Sequence, residues 1–226
     1  MRNPPIAPGE YYHVFNRSNG GSAIFRDTRD YAKFLFLILH LQSPYQFRNM
    51  GRLVNSFIRE GSFGVSDNEI KNIAEHRLIE LVCFILMPNH FHLLIREIKT
   101  GGTASYLQRF QNSYTKYFNT RYETRGHLFS GPYRAVHISS NEQLLHLSAY
   151  IHKNISAVAK WRGRETSYPY SSYSDYINHN RWSDLLSQKI IADQFRDSKD
   201  YRRFVEESSF KKLQELFSKN KIPDED

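Results

Sequence analysis

Met87-Pro88-Asn89-His90-Phe91-His92-Leu93-Leu94-Ile95 decides how the rest of the chain is read. An apolar run, Ile79 to Met87, leads into it, and Leu93 to Ile95 leads out. Pro88-Asn89 is a tight turn, so the two runs read as the arms of an antiparallel β-hairpin, Ile79 to Met87 and His90 to Glu97. Side chains alternate along a strand. His90 and His92 therefore share one face and Phe91 takes the other. Two imidazoles on a rigid strand make half of a divalent-metal site. His-x-His spacing alone leaves open a second reading, two partly buried histidines that each bond a carbonyl.

Upstream, Tyr11 to Arg17 is aromatic and β-branched and predicts a strand. Asn19-Gly20-Gly21-Ser22 follows as a loop. Asp27 offers an N-cap for a helix over Thr28 to Leu41, where Tyr31, Phe34, Leu35, Ile38 and Leu41 fall on one face. Downstream, Gly101-Gly102 breaks the chain before a long helix, Thr103 to Arg121. Leu107, Phe110, Tyr114, Tyr117 and Phe118 form its apolar stripe. Gly126 and Gly131-Pro132 punctuate the exit, and Tyr133 to Ser139 predicts a fourth strand.

This order, strand, helix, strand, strand, helix, strand, is the split βαβ arrangement. The expected fold class is α+β: a ferredoxin-like βαββαβ antiparallel sheet with helices on one face, plus a C-terminal helical extension. The second helix must bury its stripe on the sheet, which is expected to bring Tyr114 toward the sheet that carries the histidines. Residues 43–76, broken by Pro44, Gly51, Gly61 and Gly64, read as an elaboration with a short helix over Asn68 to Arg77. Ser140-x-x-Gln143 is a capping box for a helix over Asn141 to Lys153. An irregular stretch, Trp161 to Asn180, precedes two expected helices, Ser183 to Phe195 and Ser198 to Phe217, and a frayed end, Lys219 to Asp226. The organisation is thus a catalytic-type unit over 1–180 and an extension over 181–226.

Lys plus Arg number 31 against 23 Asp plus Glu, a net charge of +8, in 226 residues. That balance favours a polyanionic partner, nucleic acid first. Cys83 is the single cysteine and lies in an apolar run, which excludes an intrachain disulfide and a thiolate metal cluster. Met1 to Gly9 has no long apolar core and no apolar run of about 18 residues occurs, so no secretory leader, no membrane association and a cytoplasmic location are expected.

Several motifs, in order, carry a family resemblance. Tyr11-Tyr12-His13-Val14-Phe15-Asn16-Arg17 resembles the opening strand of IS200-like, single-tyrosine transposases, the HUH class. Met87 to Leu94 looks like their His-hydrophobic-His metal motif. Ser113-Tyr114-Thr115-Lys116-Tyr117-Phe118-Asn119 resembles the helix that bears their nucleophilic tyrosine. Gly126-His127-Leu128-Phe129-Ser130-Gly131-Pro132-Tyr133-Arg134 resembles the segment after it. Tyr150-Ile151-His152-Lys153-Asn154 and Tyr168-Pro169-Tyr170-Ser171-Ser172-Tyr173 resemble later family marks. The nearest branch is the one associated with repetitive extragenic palindromes. The likeness spans Tyr11 to Tyr173. The chain departs from the pattern in its longer 43–76 segment, at Pro132, and at His152-Lys153.

The resemblance implies cleavage and rejoining of single-stranded or hairpin DNA through a covalent 5′-phosphotyrosine, in DNA transposition, recombination or the mobilisation of palindromic elements. It implies a divalent metal ion, Mg2+ or Mn2+, held by His90 and His92, with Tyr114 as nucleophile. A third ligand, an amide or carboxylate, is expected from the tyrosine helix. Asn119 is the motif's amide, although five residues is about 140° around a helix from Tyr114. Gln111, one turn before Tyr114, shares its face more closely, and His13 is a further candidate. Arg17, Lys116, Arg121, Arg125 and Arg134 are the expected DNA contacts. The protein would act as a monomer or homodimer, associated with the nucleoid. Two other readings stay open: a domesticated member that binds DNA hairpins without cutting, and an unrelated metallohydrolase, which would need further acidic or histidine ligands.

Overall fold

The computed structural model describes residues 6–209 together with 211, 213 and 215. Its strands are β1 (Tyr11–Arg17), β2 (Ile79–Met87), β3 (His90–Glu97) and β4 (Arg134–Ile138). Its helices are α1 (Thr28–His40), α2 (Met50–Glu60), α3 (Asp67–Glu75), α4 (Gly102–Tyr122), α5 (Asn141–Lys153), α6 (Tyr173–Ile177), α7 (Lys189–Ala192) and α8 (Ser198–Glu207). The strands pair antiparallel in the order β2-β3-β1-β4, the expected split βαβ sheet.

α1 and α4, the two crossover helices, share one face of that sheet. Phe91 of β3 meets Phe34 of α1 at 5.2 Å and Phe110 of α4 at 5.5 Å, ring centroid to centroid. Tyr114 packs edge-on to Phe34 in the same layer, at 4.8 Å. Asp27 caps α1, accepting from the Arg29 and Asp30 amides. The buried carboxylate of Glu97, at the end of β3, accepts from the amides of Gly102 and Thr103, and so caps α4.

α1 is buried nearly all round. One side lies on the sheet. Phe36 and His40 turn outward and pack on Phe47 and Phe63 of the 43–76 elaboration. That elaboration holds two helices, α2 and α3, where one was expected; the Gly61 C-cap, at φ 74°, ends α2. α3 begins at a Ser66/Glu69 capping box.

The opposite face of the sheet is covered by α5. Tyr150 on α5 reaches both His13 of β1 and His92 of β3. From behind, α5 is held by the C-terminal extension. His152 Nδ1 is 2.7 Å from the Tyr201 hydroxyl, and its Nε2 is 2.8 Å from Ser172 Oγ. Lys153 Nζ donates to the carbonyls of Val205, Glu206 and Ser208 at the end of α8. A lysine there satisfies carbonyls that the helix leaves unpaired. The segment expected as one helix over Ser183 to Phe195 is a single 3-10 turn, Ser183–Leu185, followed by the short α7. Leu186, at φ −124° and ψ 105°, is extended and breaks the helix inside that span. The expected helix over Ser198 to Phe217 is seen as α8. Its end at Phe217 and the Lys219 to Asp226 tail lie outside the described residues. Among the described residues, no helix is long and apolar enough to cross a membrane.

Candidate active site

The register places the site row by row. Ile85, His92, Phe15 and Arg134 are mutual neighbours across the sheet. Met87, His90 and Arg17 form the next row, and Leu94, His13 and Val136 the row on the other side. Side chains two apart on a strand share a face. His13, Phe15, Arg17, His90, His92 and Arg134 thus belong to the face under α5.

The two imidazoles of β3 stand perpendicular, 5.0 Å apart between centroids. His90 Nδ1 lies 2.7 Å from Asn89 Oδ1. His92 Nδ1 lies 2.9 Å from His13 Nε2. In each ring the partner engages Nδ1 and leaves Nε2 for a ligand, the usual way an outer residue fixes a metal-binding imidazole. Burial pushes the His90 pKa down to about 4, against a smaller upward pull from Asn154, with Arg17 also lowering it. Burial, then the neighbouring His90 and His13, pushes His92 well below the usual range. Both rings are neutral near pH 7, as ligation requires.

α5 supplies the other two groups. Tyr150 lies edge-on to His92 at 5.6 Å and to His13 at 6.0 Å. Asn154, four residues on, is one helical turn away and so on the same side of the helix. Its side chain is fully buried, and neither its amide nitrogen nor its oxygen makes a hydrogen bond of good geometry. A buried amide without a well-aligned partner costs about 1–3 kcal/mol, so the Asn154 amide beside His90 has the donor chemistry of a metal ligand. Among the described residues no three His, Cys, Asp or Glu side chains form a metal-binding group. A third donor of amide type fits that finding. Two imidazole nitrogens and one amide oxygen suit a divalent cation.

Tyr114 packs toward the sheet as expected, but on the face away from the histidines. It lies on the α1/α4 face, on the far side of the sheet from His90 and His92. It is fully buried, and its hydroxyl donates to the Ile24 carbonyl at 2.5 Å. Burial, then the nearby Asp30, pushes its pKa up. The physical reason is strand parity: α4 buries its stripe on the face that carries Phe91. Gln111 is on that same side, bonded to Asn16 at 2.8 Å. Asn119 is spent on the C-terminus of α4, donating to Gly126 O and accepting from Thr124 Oγ1.

Of the five expected DNA contacts, Arg17 and Arg134 lie on the histidine face. Lys116, Arg121 and Arg125 belong to α4 and the chain just after it. Arg121 is committed to Asp27 and Asp30. The Asp30 carboxylate, itself fully buried, also accepts from Tyr117 and Tyr122. Tyr150 and Asn154 are further candidate site residues, which the sequence placed only among the later family marks. Their signal was present in Tyr150-Ile-His-Lys-Asn154, a tyrosine and an amide one turn apart on a capped helix.

A four-stranded antiparallel sheet, with α1 and α4 on one face and α5 on the other, defines a class of mixed α+β fold. It is shared with a solved structure described as "Structure of the REP associates tyrosine transposase bound to a REP hairpin", at TM-score 0.50 and 12% identity, over 83% of this chain and 90% of that one. The family described as "Transposase IS200 like" matches residues 65–154, which include His90, His92, Tyr150 and Asn154. The resemblance to IS200-like transposases is borne out over that span. No curated protein matches the chain.

Proposed function

We propose that this chain is a metal-dependent single-stranded DNA strand transferase of the IS200-like class, with Tyr150 as its nucleophile. The observation that carries the reading is the convergence of His90, His92, Tyr150 and Asn154 on one face of the sheet. His90, His92 and the Asn154 amide oxygen would hold Mg2+ or Mn2+. When bound, the cation offsets the charge of a phosphodiester and polarises its phosphorus. Asn89 and His13 keep both imidazoles in the orientation that ligation needs. Arg17 and Arg134 add positive charge on the approach face and draw a DNA backbone toward the site.

Tyr150 Oη attacks the phosphorus. An Oη–P bond forms, the bond from phosphorus to the 3′-oxygen breaks, the phenol gives up its proton and the 3′-oxygen gains one. The product is a 5′-phosphotyrosine and a free 3′-hydroxyl. Because the ester conserves the bond, a 3′-hydroxyl can reverse the step and join strands. The side chain that anchors α5 on its outer face, His152, takes no part in this chemistry.

The test is incubation of the full chain with Mn2+ and a labelled DNA hairpin bearing single-stranded flanks. The expected product is a covalent adduct that peptide mass spectrometry maps to Tyr150. Binding without any adduct would favour a hairpin-binding protein that does not cut. Cleavage without an adduct would indicate a metallohydrolase using water.

A further inference from the structure

Six residues beyond Asn154 the chain runs Lys160-Trp161-Arg162-Gly163-Arg164, a basic stretch outside the metal face. Lys160, Arg162 and Arg164 are exposed, and Trp161 is half-buried. Lys160 Nζ sits 5.5 Å from the Trp161 ring centroid, and the Arg164 guanidinium carbon sits 5.8 Å from it. Arg162 Nε donates to the Ser156 carbonyl, and Glu165 accepts from the Gly163 amide, which fixes the turn. Among the described residues none of these three cations pairs with a carboxylate, whereas Arg77, Arg96, Arg121, Arg181 and Arg202 all do.

The stretch is tied to the site end of the sheet. Trp161 packs edge-on to Tyr168 at 5.1 Å. The Tyr168 hydroxyl donates to the Leu86 carbonyl at 2.5 Å, and Leu86 is the strand partner of Phe91, between the two histidines. A cluster of cations held by one aromatic ring loses less side-chain freedom on binding than free lysines and arginines do.

We propose that Lys160 and Arg164, both seated at the Trp161 ring, together with Arg162, which the Ser156 carbonyl holds, form a clamp for the sugar–phosphate backbone of a single-stranded DNA flank leading to the active site. This rests on the strand-transferase reading. Charge complementarity names the occupant: three uncompensated cations on a rigid turn, beside a site that takes a phosphodiester. The clamp reads no sequence, because its contacts go to phosphates.

The experiment measures binding of a fluorescent oligothymidine, and of a hairpin carrying an oligothymidine flank, across a salt series. Each phosphate contact to single-stranded DNA contributes about 0.7 to the slope of log affinity against log salt. Lys160→Ala/Arg164→Ala is expected to lower that slope by about 1.4, with roughly tenfold weaker binding at low salt. Trp161→Leu, which keeps all the charges, is expected to shift affinity in the same direction by a smaller factor. Arg59→Ala/Lys71→Ala removes two exposed charges from the elaboration and controls for net charge. An unchanged slope in the Lys160/Arg164 variant, or an equal fall in the control, overturns the clamp. Should the wild type bind no single-stranded DNA, the strand-transferase reading fails first. If it forms the Tyr150 adduct while the clamp variant keeps the wild-type slope, only the clamp fails.

Discussion

His13 Nε2 and His92 Nδ1 lie 2.9 Å apart, so the ring that faces the site from β3 is steered by a ring on the neighbouring strand. Both are buried, and the contact spans strands rather than a turn. His13 thus acts through His92 as a positioning residue. His13→Phe keeps the packing and removes the hydrogen bond. Mn2+ affinity is expected to fall about 10- to 100-fold, read by calorimetric titration without DNA. Wild-type affinity in a folded His13→Phe protein would show that His92 needs no such partner.

The two tyrosines separate cleanly. Tyr150→Phe is expected to abolish the DNA adduct while leaving thermal stability near wild type. Tyr114→Phe should keep the adduct. It loses the bond to the Ile24 carbonyl, with a cost of about 1 kcal/mol in denaturant unfolding. Reversed outcomes would place the chemistry on the other face of the sheet.

Acid should unfold the protein early. Burial lowers the pKa of His13 to about 3, of His40 and His90 to about 4 and of His152 to about 3, and sends His92 well below the usual range. An unfolded histidine titrates near 6.5. Between these values the unfolded chain binds protons that the native state refuses. Stability is therefore whole above about pH 6.5 and falls as pH drops toward 4, by about 1 kcal/mol per pH unit for each such ring. The expected melting temperature is flat from pH 7 to 8 and declines steeply below 6.5. A melting temperature constant down to pH 5 would contradict the neutral, buried state of these rings.

Two glycine-to-alanine changes in helices should act in opposite directions. A Cβ on Gly102 would lie 2.3 Å from the Leu78 carbonyl oxygen, which is pinned by the Ile98 and Lys99 amides. Gly102→Ala is expected to cost roughly 1–3 kcal/mol despite alanine's helix propensity. Gly51, in α2, has open space around its Cβ position. Gly51→Ala should stabilise by roughly 0.5–1 kcal/mol. Chemical denaturation of both variants decides the matter.

The three strands Tyr11–Arg17, Ile79–Met87 and His90–Glu97 were legible to the residue, because alternation and turn chemistry are local signals. α5 was legible to the same degree, and α1 and α4 to within one residue at their ends, because apolar stripes are local signals too. Which face of the sheet each helix covers is not a local property. The stripe of α4 shows that Tyr114 is buried but not against what. Strand parity held the answer: Phe91, Leu93 and Ile95 are the apolar side of β3, and an apolar stripe seeks that side. The polar side, with its histidines, was left for α5, whose Tyr150 and C-cap Asn154 carry the phenol and amide of the proposed chemistry. The irregular run after Ser183 was opaque for a different reason, since a single extended residue, Leu186, splits a helix that the composition supports.

The grip of Lys153 on the last carbonyls of α8 has a consequence for the order in which the protein is born. The histidine strand leaves the ribosome more than a hundred residues ahead of Ser208, the farthest carbonyl that Lys153 holds. Until synthesis passes that point, the tyrosine helix lacks its outer support. The nascent chain can thus display the proposed metal ligands before the proposed nucleophile, Tyr150, is firmly seated. A chain ending at Phe195, which lacks α8, is expected to bind Mn2+ yet form the adduct at least tenfold more slowly than the full chain. Equal rates would mean that α5 seats itself on the sheet unaided.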